Sequence, residues 1–233
     1  HRDLHSFPTR RSSDLRSQQM FADLNRYAIR PSRSLGLLYD HRNMKAKLAR
    51  LAITRSKVYK DIVDLERSSL APRSAKLFTL SAFYNASADL IAGLESGDLE
   101  KDAETVREYW EEIARHFPIW TQVRDGKTAA SEVRDTYIHG HGIALQALGK
   151  AGNALLRGCQ GAWKSRLGPL GKIDWSRKNA KQWEGRAMIG GKISKVTTNI
   201  ILTTNVIKRR LGIELSDDEQ RIEDAYRRGG HAR

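Results

Sequence analysis

The sequence contains one cysteine, Cys159, among 233 residues. An internal disulfide framework needs at least two cysteines and Cys-rich zinc sites need more, so both are excluded. The lone thiol is either a sulfur carrier or a small idle side chain, and its sequence neighbours, glycine and glutamine, carry no charge that would activate it. A single cysteine fits a reducing compartment, and we expect a cytoplasmic protein.

Long hydrophobic runs are also lacking, since no uninterrupted apolar stretch approaches the roughly 18 residues that span a bilayer. We therefore expect a soluble protein without a membrane partner.

The sequence has neither a P-loop nor a convincing metal pair. The spacing from Gly185 to Gly191 is one residue too long for the GxxxxGK[ST] pattern, and isoleucine follows Lys192. His139 and His141 stand two apart, so they would not share a face of a helix. The sequence thus predicts no cofactor and no metal, and no catalytic residue stands out.

Acidic residues are the scarcer charged class, with 27 Asp and Glu against 41 Lys and Arg, a net charge of +14. Such a balance attracts polyanions through counterion release. Of the two kinds of polyanion that such charge attracts, nucleic acid ranks above an anionic membrane surface. DNA is therefore the predicted partner, and formation of a homo-oligomer stays open.

Residues 1–15 have no apolar period, and codons can be chosen for residues 5–15 that reproduce a common sequencing adapter in one frame. We interpret the segment as non-native, the alternative being a basic arm. On this interpretation the natural protein extends further upstream, and deleting the segment leaves folding and binding unchanged.

Apolar residues recur at helical spacing along much of the remaining chain. The clearest stripe runs from Leu99 to Phe117, with Asp98 as its cap and an outer face of acids (Glu100, Asp102, Glu104, Glu108, Glu111, Glu112). Further helices are predicted after Ser74, from 133 to 155 with a break near Gly140 and Gly142, and from Ser216, where Glu219 completes a capping box. Only residues 34–39 and 62–65 look like strands, so the sequence predicts a mainly α fold.

Basic residues concentrate between 172 and 210, where ten Lys and Arg face two acids, a net charge of +8. We predict this segment to be the nucleic-acid face, the alternative being an ordinary solvated surface. The predicted contacts are Arg186, Lys192, Lys195, Lys208, Arg209 and Arg210. Trp175 and Trp183 lie within the segment and either stack on bases or anchor it to the core.

The glycine-rich stretch 183–194 is the best candidate for phosphate contact, because glycines let backbone amides approach an anion and a helix beginning near Val196 adds its positive end. Loop packing without a ligand is the alternative. In that case Arg186 is a structural arginine paired with Glu184 or Asp174. A second turn, at Asp40, His41 and Arg42, either holds a phosphate or caps the following helix through Asp40.

Six sequence blocks occur in order along the chain, namely residues 18–25 (QQMFADLN), 34–42 (SLGLLYDHR), 76–81 (KLFTLS), 135–142 (DTYIHGHG), 173–176 (IDWS) and 183–188 (WEGRAM). In this order they resemble blocks of the DndB family of DNA sulfur modification proteins. The resemblance covers essentially everything after residue 15. It implies a regulator that acts on DNA within the system that replaces a non-bridging phosphate oxygen by sulfur, with other proteins of that system as further partners.

The resemblance also implies the domain organisation. Residues 16–71 would be the remnant of a small α/β domain of the DGQHR type, similar to ParB and sulfiredoxin, with Asp23, Asn25 and Asp40 to Arg42 as its surviving motif residues. Residues 72–233 would be the helical, family-specific domain. The DGQHR signature itself is absent from this sequence. A nucleotide- or DNA-processing enzyme of the ParB/sulfiredoxin-like type, whose catalytic loop lies upstream, therefore remains the alternative function.

Overall fold

The fold is mainly helical, as the spacing of apolar residues predicts. A computed structural model describes residues 11–27, 31–159 and 161–229. The chain forms two compact units, His1–Pro31 and Ser32–Arg233. The first contributes one helix, α1 (Arg11–Tyr27), which begins within the segment interpreted as adapter-derived.

Among its described residues, the second unit contains the remaining helices and four short strands. The helices are α2 (Arg33–Tyr39), α3 (Met44–Arg55), α4 (Tyr59–Ile62), α5 (Leu80–Ile91), α6 (Leu99–Arg115), α7 (Pro118–Arg124), α8 (Ala130–Thr136), α9 (Gly142–Gly158), α10 (Ala180–Trp183), α11 (Thr197–Arg210) and α12 (Asp217–Arg228). Two 3-10 helices cover Ile138–Gly140 and Lys164–Lys172. The strands are β1 (Val63–Asp64), β2 (Phe78–Thr79), β3 (Met188–Ile189) and β4 (Lys192–Ile193).

Helix α6 forms as predicted, with its start fixed by a cap. The Asp98 carboxylate accepts hydrogen bonds from the amides of Glu100 and Lys101. Its apolar stripe is buried from Ala103 to Phe117, and the indole of Trp110 donates to the Ser87 hydroxyl at 3.0 Å. The stripe thus joins α6 to α5 through both packing and a buried hydrogen bond.

Helices α5 and α9 cross at very short range because α9 carries glycine at the contact. A Cβ added to Gly149 would overlap the backbone carbonyl of Ala86. One turn further along, Gly152 leaves room for the ring of Tyr109, whose hydroxyl donates to the Leu148 carbonyl at 2.6 Å. Small residues therefore set this central contact.

The predicted strand at residues 34–39 is wrong, since these residues form α2. Ser32 caps that helix by accepting from the Leu35 amide at 3.0 Å. At the other end, the guanidinium of Arg50 donates to the carbonyls of Leu37 and Leu38. The backbone amides and carbonyls at the two ends of α2 thus form hydrogen bonds with side chains. The local apolar pattern does not reveal these bonds.

The helix predicted after Ser74 begins later, at Leu80, because the preceding residues pair with another segment. The Leu77 amide donates to the Ile62 carbonyl at 2.7 Å, and β1 and β2 lie parallel, with Val63 opposite Phe78. The predicted strand near 62–65 is thus present as two residues. This pairing joins residues from both sides of the predicted domain boundary near 71, which lies inside the second compact unit.

The long helix predicted from 133 to 155 is interrupted where the glycines suggested. The chain passes from α8 through a 3-10 turn into α9, and Gly140 packs against the backbone of Val133 and Arg134. The capping box at Ser216 is also confirmed, with Glu219 and Ser216 each bonding the other's backbone amide.

The acidic outer face of α6 is only partly exposed. Asp102 is buried and accepts from the amide and hydroxyl of Ser96. Glu111 accepts from the Ser56 hydroxyl and the Lys57 amide. Two of the six predicted surface acids therefore hold neighbouring segments in place.

Candidate nucleic-acid interface

A basic groove of about 610 Å³ lies between the segment from 172 to 182 and helices α11 and α12. We define the basic groove by its exposed cations, which are Lys172, Lys181, Arg209, Arg210 and Arg227. Arg209 and Arg210 stand in the last turn of α11, where cations interact favourably with the helix dipole. Arg210 donates to the Lys172 carbonyl at 2.5 Å, which connects the two walls.

Carboxylates in the groove are engaged by the protein itself. The Asp174 carboxylate accepts from the Ser176 amide at one oxygen and from the Asn179 side chain at the other, both at 3.0 Å. Among the described residues Lys172, Lys181 and Arg210 form no ion pair. With six Lys and Arg side chains against Asp174 and Glu223, the lining of the groove keeps a net positive charge.

Glu223 forms the floor of the groove. Its carboxylate is 1% exposed and forms a bidentate pair with Arg186, with Arg209 and Arg227 at 3.5 and 3.3 Å. Burial alone raises the pKa of a carboxyl group, but the hydrogen bonds and positive charge of Arg186, with further help from Asn205 and Arg209, lower the pKa of Glu223 to about 2.

Arg186 is a structural arginine rather than the solvent-facing phosphate ligand predicted from the sequence. Both its terminal nitrogens donate to Glu223 at 2.8 Å, and its guanidinium lies 4.2 Å from the ring centre of Tyr226. Arg186 is therefore a paired structural arginine, as the alternative interpretation of the sequence held, but its partner is neither Glu184 nor Asp174. A residue 37 positions away in sequence supplies the charge.

Lys208 also departs from the predicted role of a DNA contact. Its ammonium group donates to both oxygens of Glu219, at 2.6 and 2.7 Å, and the residue is buried. It holds the last turn of α11 against the start of α12. Of the predicted cations on α11, only Arg209 and Arg210 reach the groove.

The glycine-rich hairpin between β3 and β4 already binds an anion, and that anion belongs to the protein. Gly190 and Gly191 have positive φ, and their amides donate to the two carboxylate oxygens of Glu184. Consecutive amides of this kind form an anion-binding nest. Glu184 occupies the place predicted for a phosphate, while Lys192 remains exposed at the start of β4.

Trp175 and Trp183 pack in the core and do not face the groove. Their rings stack with centres 5.2 Å apart, and Trp183 is fully buried. Each indole donates to a carbonyl, Trp175 to Leu170 and Trp183 to Asp174. Of the two predicted roles, the structure shows anchoring.

The other candidate side chains, His139 and Cys159, both have hydrogen-bond partners within the protein. His139 accepts from the Trp120 indole, and burial lowers its pKa to about 3. Cys159 has a charged neighbour that the sequence does not indicate, since the guanidinium of Arg166 donates to its sulfur at 2.9 Å. Within residues 11–27, 31–159 and 161–229, no group of three or more His, Cys, Asp and Glu is placed to hold a metal.

Comparison with known proteins identifies the family of this chain. Residues 12–214 match the family model of DndB, described as DNA-sulfur modification-associated. The chain belongs to the DndB family. No curated protein and no solved structure matches it significantly. The match includes four residues of the segment interpreted as adapter-derived, whose origin stays a prediction.

The motif residues inferred from the DndB resemblance lie in both compact units. Asp23 and Asn25 belong to α1, where Asp23 is exposed and the side chain of Asn25 lies outside the description. In the second unit the Asp40 carboxylate accepts from the amides of Arg42 and Asn43. Asn43, not Asp40, caps α3, by accepting from the Ala46 amide. His41 and Arg42 are exposed.

Sequence reasoning missed Arg227 and Glu223 of this DndB-family chain. Both lie on α12, four residues apart, so they share a face of that helix. That spacing was readable from the sequence, but the approach of α12 to Arg186 was not. Among the described residues no helix is long and apolar enough to cross a membrane.

Proposed function

We propose that this protein is a DNA-binding regulatory component of the bacterial DNA phosphorothioate modification system, and that the basic groove is its DNA contact. The observation that supports DNA binding is the convergence of exposed cations from three separate segments around one groove. Membership of the DndB family supports the connection with DNA sulfur modification.

The charges of the groove suit a phosphate backbone. Lys172, Lys181 and Arg210 have no carboxylate partner among the described residues, so an incoming phosphate need not displace one. Arg209 is 37% exposed and shares Glu223 with two other arginines, which leaves part of its charge directed outward. Phosphate contacts of this kind supply affinity and orientation without reading sequence.

The groove is tested by measuring duplex DNA binding by fluorescence anisotropy across a salt series. Lys181→Ala and Arg210→Ala should each weaken binding and lower the salt slope by about one unit, because one fewer counterion is displaced. The loss should be similar for different DNA sequences. The same series includes Lys192→Ala and Lys195→Ala. The sequence predicts both lysines as DNA contacts, although neither lines the groove.

Matched controls lie on the acidic helix α6. Lys101 is exposed there and has no ion-pair partner among the described residues, so Lys101→Ala should leave affinity and salt slope unchanged. Reversing the exposed Glu108 to lysine should have little effect. If Lys101→Ala and Lys181→Ala weaken binding equally, the basic groove is not the DNA contact.

The regulatory part of the proposal is tested with promoter DNA of the modification genes. A regulator should bind that DNA more tightly than an unrelated duplex of equal length, and groove variants should relieve its effect on a transcriptional reporter. A protein that binds both duplexes equally and leaves the reporter unchanged is not a promoter regulator.

A further inference from the structure

A second cleft, of about 620 Å³, opens at the amino-terminal end of α9. We call it the α9 cleft. Its walls come from residues 68–82, from residues 140–146 and from residues 193–200, with Arg33 at its edge. It therefore shares no lining residue with the basic groove.

The lining of the α9 cleft contains no Asp or Glu, whereas Arg33, Arg134 and Lys195 all belong to it. Arg33 and Lys195 form no ion pair among the described residues, and both are exposed. Arg134 donates to the carbonyls of Pro72 and Lys76 and so holds one wall in place. A cleft lined by positive charge and no carboxylate favours the binding of an anion.

Unused hydrogen-bond donors face the same space. Helix α9 begins at Gly142, and no side chain caps it. The amides of Gly142 and Ile143 donate to no acceptor among the described residues, whereas those of Ala144 and Leu145 donate to the His141 carbonyl. Such free amides, at the positive end of a 17-residue helix, favour a bound anion.

Two buried hydroxyls add a further donor. Thr79 and Ser81 are 8% and 9% exposed, both line the cleft, and their oxygens lie 3.1 Å apart. Only one of them can donate in that hydrogen bond, and Thr79 already accepts from the Ala82 amide. One hydroxyl hydrogen of the pair therefore has no acceptor among the described residues, although buried hydroxyls are ordinarily satisfied.

We propose that the α9 cleft binds the phosphate group of a small molecule of nucleotide size, through Arg33, Lys195, the first amides of α9 and the Thr79–Ser81 hydroxyl pair. The volume lies within the range of about 300–1,000 Å³ that is usual for small-molecule sites. His141, beside the amides, is neutral at physiological pH, since burial and the nearby arginines lower its pKa to about 4. The charge that meets the phosphate comes from the arginine and lysine side chains.

This site goes beyond the proposed DNA contact and is tested separately from it. Inorganic phosphate and adenosine monophosphate are titrated into the full chain by calorimetry in a phosphate-free buffer. Both should bind with one site per chain, the nucleotide more tightly because its base and sugar fill the remaining volume. Failure of both probes to bind at millimolar concentration would overturn the proposal.

Variants locate the binding. Lys195→Ala and Arg33→Ala should each weaken phosphate binding by about tenfold, since hydrogen bonds to charged groups are among the strong ones. Ser69→Asp places a carboxylate on the rim of the cleft without disturbing the core and should abolish binding. Lys60→Ala, an exposed lysine elsewhere on the same unit, is the matched control.

The remaining outcomes separate this cleft from the basic groove. Arg210→Ala should leave phosphate and nucleotide binding unchanged, because Arg210 does not line the α9 cleft. Binding that survives Ser69→Asp, or that is lost in Arg210→Ala, assigns the anion to another place and overturns the proposal. Melting temperatures of all variants are measured to confirm that each is folded.

Discussion

The guanidinium of Arg186 and the carboxylate of Glu223 face each other through two parallel hydrogen bonds of 2.8 Å. Arg186 lies in the turn at residues 185–187 that precedes β3, and Glu223 lies on α12. The pair therefore connects the hairpin region to the last helix. Because the carboxylate is 1% exposed, removing Arg186 leaves a buried charge whose remaining ion pairs, with Arg209 and Arg227, are longer.

Arg186→Ala should destabilise the fold by about 3–5 kcal/mol, the usual cost of breaking a buried ion pair from one side. The measurement is the free energy of unfolding from urea denaturation. The control is Arg221→Ala, which removes an exposed pair with Asp218 and should cost less than about 1 kcal/mol. Equal effects of the two substitutions would contradict the structural role of Arg186.

Stability should depend on the ionisation of Glu223. The pKa of this group is lowered from 4.5 to about 2 in the folded protein. Because the pKa of Glu223 is lower in the folded protein, its ionised form stabilises the fold at pH values above the ordinary pKa of a glutamate. This contribution is lost as the pH falls toward 2.

The stability difference between wild type and Glu223→Gln should therefore be largest at neutral pH and shrink below about pH 4.5. Urea denaturation at a series of pH values measures it. A difference that stays constant through this range would show that the Glu223 charge does not contribute to folding.

Gly149→Ala should destabilise the protein by about 1–3 kcal/mol, because the added methyl group overlaps the Ala86 carbonyl and forces α5 and α9 apart. Gly36 is a matched control, since it is also helical but has open space around its Cβ position. Gly36→Ala should be neutral or stabilise by up to about 1 kcal/mol. Thermal melts compare the two, and equal shifts would refute a tight α5–α9 contact.

Glu184→Ala should loosen the β3–β4 hairpin, because the amides of Gly190 and Gly191 lose their acceptor. Their hydrogen exchange should accelerate by about fivefold or more, corresponding to roughly 1 kcal/mol of local stability. Glu184→Gln keeps one acceptor oxygen and should have a smaller effect. Exchange measured by NMR that is unchanged in Glu184→Ala would mean that the carboxylate does not hold the nest.

Periodic elements were predictable from sequence alone. The stripe of α6 with its Asp98 cap, the capping box at Ser216 and the break near Gly140 all follow from local rules of spacing and capping, and all are present. The blocks that resemble DndB identified the family correctly. Local chemistry determines these features because the interacting atoms lie within one or two turns of each other.

Residues 34–39 and 77–79 were not predictable in the same way. The first form a helix whose carboxyl end is satisfied by Arg50, and the second pair with Ile62 and Val63 before their helix begins. In each case a partner more than ten residues away supplies the deciding hydrogen bond. Propensity within a short window contains no information on that partner.

The sequence by itself determined that the basic residues concentrate between 172 and 210, and that this charge favours binding of a polyanion. Only the tertiary structure decided which of those charges remain free. Glu223 and Glu219 approach from α12 and bind Arg186 and Lys208, while Glu184 fills the glycine nest. A carboxylate neutralises a cation over a few ångströms of space, whatever their separation along the chain, so the free cations became visible only once the helices were packed.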